Sequence, residues 1–291
     1  MKLLNLKYAK GLLPPRKNNT HKGDYGHTLV IAGSMNYSGA AILCSHGALR
    51  AGSGLVTLAF PETLRIPIMK RLLPEVMTLP VPDKNYALAG LAALKLLDFI
   101  KNRRVTSVAL GCGLSVTKGT SIFVNRFLKN NFSDIVIDAD AINILKNNPE
   151  LITHLKSGAV ITPHPAELSR LTGQPVKDIQ KNRRKAAKEF AARYKVVCVL
   201  KGYRTVISDG ERVFVNTTGN PGMAKGGSGD VLAGMIAAFM GQTKNIFNSA
   251  LLGVFLHGLA GDIAAKEKST VSMLPSDLIN KIPEAVKILF Q

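Results

Sequence analysis

Short apolar runs alternate with longer stretches of helical character along this chain. "HTLVIAG" (27–33) is an unbroken apolar run closed by a glycine turn, the pattern of a strand buried on both faces. "GLVTLAF" (54–60), "TSVALG" (106–111), "SDIVIDA" (133–139), "GAVITP" (158–163) and "KVVCVL" (195–200) repeat it, and most end at a turn or a polar cluster. "YRTVIS" (203–208) and "ERVFVN" (211–216) flank Asp209-Gly210, a hairpin signal. Between the strands, 38–51, 86–100, 118–130, 179–194, 231–239 and 246–266 read as helices. Buried strands separated by helices predict an α/β fold, a mostly parallel sheet with helices on each face and an antiparallel piece near its end. No linker, internal repeat or low-complexity segment interrupts the pattern, so residues 1–291 are expected to form one domain.

Composition narrows the class. Hydrophobic residues make up 46% and charged residues 20%, the profile of an ordinary globular protein rather than a disordered one. No apolar run approaches the roughly 18 residues that span a bilayer, so no membrane partner is expected. Three scattered cysteines, Cys44, Cys112 and Cys198, lack metal-ligand spacing and fit a reducing, cytoplasmic setting better than a disulfide framework. The basic N-terminus lacks a secretory apolar core, which argues against a targeting peptide. The net charge of +19 raises the question of nucleic acid. Lysines and arginines are spread along the chain, and the few aromatics are not interleaved with them, so a stacking platform has no support. A basic surface that attracts small anions explains the charge as well.

In a parallel sheet, ligands bind beyond the carboxyl ends of the strands, which directs attention to the residues after each run. Several familiar motifs fail there. The third glycine of a dinucleotide fingerprint is replaced by Thr57, Val116 or Leu232 in the three Gly-x-Gly stretches, no Gly-Lys-Ser/Thr loop occurs, and Asp230 takes the last glycine position of a hydrolase elbow. What remains is "NPGMAKGGSGDVLAGM", a glycine-rich turn entering an apolar helix. Its unpaired N–H groups suit an anion, and Gly226, Gly227 and Gly229 permit close approach. Asp230 is either a helix cap or a general base placed to deprotonate an arriving hydroxyl; spacing leaves both open. Asp138 and Asp140 could cap a helix or hold a magnesium-bound phosphate. Glu167 reads as a capping-box acid three residues after His164, which is too isolated for zinc. Lys201 and Thr205 bracket a glycine turn where the lysine could meet phosphate or decorate a hairpin.

Taken in order, "LPPR", "HKGDYGHTLVIAGSMNYSGAA", "ALRAGSGLVTLA", "ALGCGLS", "VIDADAIN", "TPHPAEL", "LKGYRTVI", "GNPGMAKGGSGDVLAGMIAA" and "FLHGLAGDIA" resemble the stand-alone NAD(P)H-hydrate dehydratases of the ribokinase-like superfamily, from residue 13 to 264. The resemblance implies a three-layer α/β/α sandwich whose hairpin lies near one end of the sheet. It also implies a lyase for reduced nicotinamide nucleotides hydrated at ring carbon 6. Such enzymes phosphorylate the hydroxyl with ADP or ATP, then expel phosphate to regenerate NADH or NADPH. By position, Ala40, Gly113, His164 and Asp230 would contact the hydrated nucleotide. Lys201, Gly202, Tyr203, Arg204, Thr205 and Gly229 would hold the adenine nucleotide, with Gly227, Ser228 and Gly229 as the anion hole and Asp230 as base. Asp138, Asn143 and Glu167 would act through Mg2+ and water, without a direct protein cage.

The resemblance further implies a homotetramer and action on the S epimer. It places "LPPR" inside the domain, and 291 residues leave no room for an epimerase domain, so a separate epimerase is the expected functional partner. The alternatives are a small-molecule kinase of the same superfamily, acting on a hydroxymethylpyrimidine or thiazole alcohol, and a basic nucleic-acid-binding protein.

Overall fold

The computed structural model describes residues 2–130, 134–155 and 158–291. Strands β1 (Lys2–Leu4), β2 (His27–Ile31), β3 (Leu55–Pro61), β4 (Met77–Val81), β5 (Asp83–Lys84), β6 (Ala87–Leu88), β7 (Ser107–Leu110), β8 (Ile135–Ile137), β9 (Ala159–Ile161), β10 (Val197–Leu200), β11 (Val206–Ser208) and β12 (Val213–Asn216) follow in chain order. Ten of them form one sheet in the order β1-β12-β11-β10-β9-β8-β7-β2-β3-β4, and β5 with β6 makes a separate ribbon. Only β11 runs against its neighbours; every other pairing in the large sheet is parallel. The expected hairpin is thus β11–β12, set one strand in from an edge that β1 closes.

The buried strands feed two cores, one on each face, because successive side chains alternate. Val30, Val136, Val197 and Val199 join a core built with helices Ser38–Arg50, Ser228–Thr243, Ile246–Ser272 and Pro275–Ile288. Leu29, Ile31, Ile135, Ile137 and Leu200 join the other, with helices Ala92–Asn102, Lys118–Leu128, Ala139–Leu145, Pro165–Thr172 and Arg183–Tyr194. This is the three-layer sandwich that the alternation of strands and helices predicts.

Several boundaries move, each for a local reason. The helix expected from residue 86 begins at Ala92, because Asn85 and Tyr86 are left-handed (φ 54° and 58°) and turn the chain between β5 and β6. The helix expected over 179–194 breaks at Asn182, whose side chain accepts from the Lys185 N–H at 3.3 Å and caps Arg183–Tyr194. The strand expected over 133–139 occupies Ile135–Ile137; its first residue, Ser133, lies outside the described residues.

The helical stretch Ile246–Ser272 runs past the expected end at 266 and is broken by a kink at Ser269, whose backbone is not helical (φ 67°). It corrects the expectation that nothing in the chain is long and apolar enough to cross a membrane. By length and composition this helix is, yet 72% of its most apolar stretch is buried inside the fold, as befits a core helix.

Candidate active site

The carboxyl ends of four neighbouring strands, β7 to β10, deliver Cys112, Asp138, Thr162 and Lys201 to one place, and the start of helix Ser228–Thr243 faces them. Asp138 is the hub. Its Oδ1 accepts from Lys201 Nζ at 2.5 Å and from Thr162 Oγ1 at 2.6 Å, while its Oδ2 faces the Cys112 thiol at 3.9 Å. Lys201 Nζ also lies 3.8 Å from Glu167 Oε2. A Cβ placed on Gly229 would sit 3.5 Å from Lys201 Nζ and 3.8 Å from Asp138 Oδ2, so the helix start looks directly onto this ion pair.

Helix Ser228–Thr243 begins on Gly227, left-handed at φ 103°, with no side chain capping it among the described residues. A Cβ on Gly227 would fall 2.6 Å from Leu43 Cδ1 and 3.1 Å from Pro275 Cγ, so glycine is required there for both backbone and space. Asp230 lies in the first turn without capping it, which removes the bland reading of its carboxylate. Instead it stands beside Cys112 and Asp138, with one ligand atom of each of the three lying within 4.8 Å of the others. Burial, and then the Asp138 charge, push Asp230 up to about 6 against the pull of the Cys112 thiol and Lys201. Burial likewise pushes Glu167 up to about 7, with Lys201 opposing. For Lys201, burial favours the neutral amine, but Asp138 and Glu167 outweigh it and leave the ammonium form favoured beyond its ordinary range. A fixed cation therefore stands beside a carboxylate poised near neutrality.

The remaining candidate residues divide into groups. Ala40 and Gly113 are neighbours: a Cβ on Gly113, which has φ 62°, would lie 2.9 Å from the Ala40 Cβ and 2.6 Å from the Tyr37 Cβ. His164 is half exposed and heads helix Pro165–Thr172, its Nδ1 accepting from the N–H groups of Ala166 and Glu167 at 3.1 and 3.2 Å. Glu167 Oε2 returns the bond to the His164 N–H at 2.7 Å, so the capping-box reading holds alongside its contact with Lys201. Burial, with Lys201 and Arg170 adding to it, holds His164 below the usual imidazole range. The neutral ring thus accepts through Nδ1 and carries its hydrogen on Nε2.

The turn from Lys201 to Thr205 is held from behind by Arg183, which donates to the carbonyls of Leu200 (2.8 Å), Lys201 (3.0 Å) and Tyr203. Gly202 has φ 136°, Arg204 has φ 51°, Thr205 Oγ1 donates to the Gly202 carbonyl at 3.0 Å, and Tyr203 is 82% exposed. Asn143 does not join the centre: its Oδ1 accepts from Arg170 at 2.8 Å. Asp140 is likewise diverted, accepting from the Ser115 N–H at 2.8 Å.

Thr162 and Cys112 stand among the residues that directly follow strands, but sequence reasoning assigned neither a role, because their partnership with Asp138 exists only once β7, β8 and β9 lie side by side. As a cation site, Asp138 and Asp230 offer the carboxylate oxygens that magnesium favours, whereas the Cys112 sulfur does not suit so hard an ion. Two cavities of about 800 and 770 Å³ lie at the opposite end of the sheet, where Tyr25 precedes β2 and Asp134 precedes β8.

The sandwich, with an uncapped glycine helix start that carries a raised carboxylate in its first turn, has the ribokinase-like fold. The chain belongs to the NAD(P)H-hydrate dehydratase family, whose description it matches over residues 28–284. It is 35% identical to the ADP-dependent (S)-NAD(P)H-hydrate dehydratase of Bacillus subtilis over 283 residues, 96% of each chain. It is 39% identical over 280 residues to the bifunctional NAD(P)H-hydrate repair enzyme Nnr of Thermofilum pendens, covering 95% of this chain and 53% of that one. The chain thus spans about half the length of the bifunctional relatives it matches. The crystal structure of the B. subtilis ADP/ATP-dependent NAD(P)H-hydrate dehydratase, co-crystallised with ATP/Mg2+, superposes with a TM-score of 0.84 at 30% identity, covering 99% of this chain and 98% of the other.

Proposed function

We propose that the chain dehydrates the S epimer of hydrated NADH and NADPH at the expense of ADP or ATP, through a phosphorylated intermediate. The observation that carries this reading is Asp230, raised to about 6 beside an uncapped helix start and the Lys201–Asp138 pair. Asp230 takes the proton of the substrate hydroxyl as its oxygen attacks the terminal phosphoryl group. The N–H groups of Gly227 and Gly229 meet the charge that builds on that group, while the Ser228 N–H, expected in the same role, donates to the Lys225 carbonyl at 3.3 Å. Departure of inorganic phosphate from carbon 6, with loss of a proton from carbon 5 to water, then forms the ring double bond and restores the dihydronicotinamide. Ala40, Gly113 and His164 line the substrate side, and the neutral His164 offers an N–H donor from Nε2. The Lys201–Thr205 turn receives the adenine nucleotide.

Magnesium, arriving with the nucleotide, would be held by phosphate oxygens and the Asp138 carboxylate, and would neutralise phosphate charge. Asn143 is bonded to Arg170 through its Oδ1, and Glu167 serves through Lys201. The B. subtilis relatives, ADP-dependent by one name and ADP/ATP-dependent by the other, support ADP as the preferred co-substrate. A separate epimerase and a homotetrameric assembly belong to the same proposal; light scattering on the eluting protein measures the assembly.

The test mixes the protein with hydrated NADH, Mg2+ and either ADP or ATP. Recovery of reduced-nicotinamide absorbance with stoichiometric phosphate release is the expected result. No recovery with either nucleotide sinks the reading, and a stable phosphorylated alcohol would mark a kinase instead.

A further inference from the structure

His257 lies buried in helix Ile246–Ser272, and the proposed reaction makes no use of it. Its Nε2 stands 2.9 Å from the carbonyl oxygen of Ser228, the first residue of the helix that carries Gly229 and Asp230. A carbonyl only accepts, so the imidazole donates. Burial, opposed by this same bond, lowers His257 to about 4, so the ring is neutral and the donor persists across the working pH range.

The bond has an evident mechanical purpose. The helix start lacks a side-chain cap, and beside Gly226 there is open space within 4 Å. The turn's own backbone bond runs from the Ser228 N–H to the Lys225 carbonyl at 3.3 Å, which leaves the Gly227 and Gly229 N–H groups to be held from outside. The same long helix grips the loop leading into it at other points. Asp262 accepts from the Gly219 N–H at 2.9 Å and from Asn220 Nδ2 at 3.0 Å. Lys225 Nζ donates at 2.8 Å to the carbonyls of Val271 and Met273, which follow the turn at Ser269. His257 is the contact that reaches the first turn itself.

We infer that His257 is a positioning residue: by donating to the Ser228 carbonyl it fixes the first turn of the helix, so that the N–H groups of Gly227 and Gly229 face the transferring phosphoryl group. The inference rests on the phosphoryl-transfer reading of this site and adds a part to it.

The experiment uses the full chain with His257→Leu, which removes the donor, and His257→Gln, which keeps one at similar reach. Both are checked for folding by near-ultraviolet circular dichroism. With hydrated NADH, ADP and Mg2+, the leucine variant is expected to lose roughly 10–100-fold in kcat, the scale of a misplaced catalytic group. Its KM for the hydrated substrate stays within about threefold, because the loss falls on the transition state. The glutamine variant recovers most of kcat. In 15N-labelled protein, inorganic phosphate shifts the Gly229 amide resonance in the wild type and the glutamine variant, and not in the leucine variant. A leucine variant as fast as wild type overturns the inference. So does a glutamine variant as slow as the leucine variant, since packing alone would then explain both. If the wild type itself fails to regenerate NADH, the proposed reaction falls, and the Gly229 response to phosphate still decides the role of His257.

Discussion

Asp230 has two jobs open to an aspartate in the first turn of a helix, and its surroundings tell against the cap. A cap would bond to backbone N–H groups and keep a low affinity for protons. This carboxylate instead faces Cys112 and Asp138, and burial raises it to about 6. Asp230→Asn is expected to lower kcat by roughly 10²–10⁴ while titration calorimetry finds ADP binding nearly unchanged. A base must be ionised to act, so a raised value places the acid limb of kcat/KM near pH 6: the rate falls below it and levels above.

Glu167 carries the opposite lesson for stability. Its folded value of about 7 exceeds its ordinary 4.5, so the native state binds the extra proton between them, and stability falls as pH rises through that window. Glu167→Gln should flatten this dependence in urea titrations at pH 5 and 8. At this scale the sequence was partly legible. Asp230, Gly227 and Gly229 stand out by spacing, whereas Thr162 acquires its meaning only from a neighbouring strand, and His164 proves to cap its helix as well as to border the site.

Among the elements, the helix Ser228–Thr243 shows what the glycines are for. Gly227 combines a left-handed backbone with Leu43 and Pro275 packed where a side chain would go. Gly227→Ala is therefore expected to cost roughly 1–3 kcal/mol of unfolding free energy, read from chemical denaturation, and to reduce nucleotide affinity as the anion hole shifts. Strong periodicity made the long helices and the buried central strands readable from sequence. The edge strands were not: β1 has three residues, and β4 contains Pro80, which an edge position tolerates because no further strand needs its missing N–H. The break at Asn182 also escaped the pattern, since apolar spacing continues across it while the backbone does not.

For the molecule as a whole, the +19 charge is the feature that neither fold nor chemistry demands in full. In the proposed reaction two polyanionic nucleotides meet at one site, which would give the charge a use in steering. On that account kcat/KM falls severalfold between low salt and about 0.5 M salt while kcat holds, because screening slows encounter and leaves the bound state alone. Stopped-flow or initial-rate measurements against ionic strength check this. Fold class was legible at this scale because every parallel connection needs a helix to cross over. The strand order, with β2 at the interior and β1 at the far edge, was not, since nothing local states which strands will be neighbours.

That edge has a consequence for how the chain reaches its native state. Strand β1 pairs with β12, and Thr217 bonds to Leu4 across 213 positions of sequence. Such a pairing closes a very long loop and gains nothing until the intervening layers exist. Strand β1 is therefore expected to dock late, and the outer rim of β12 lacks its partner strand until it does.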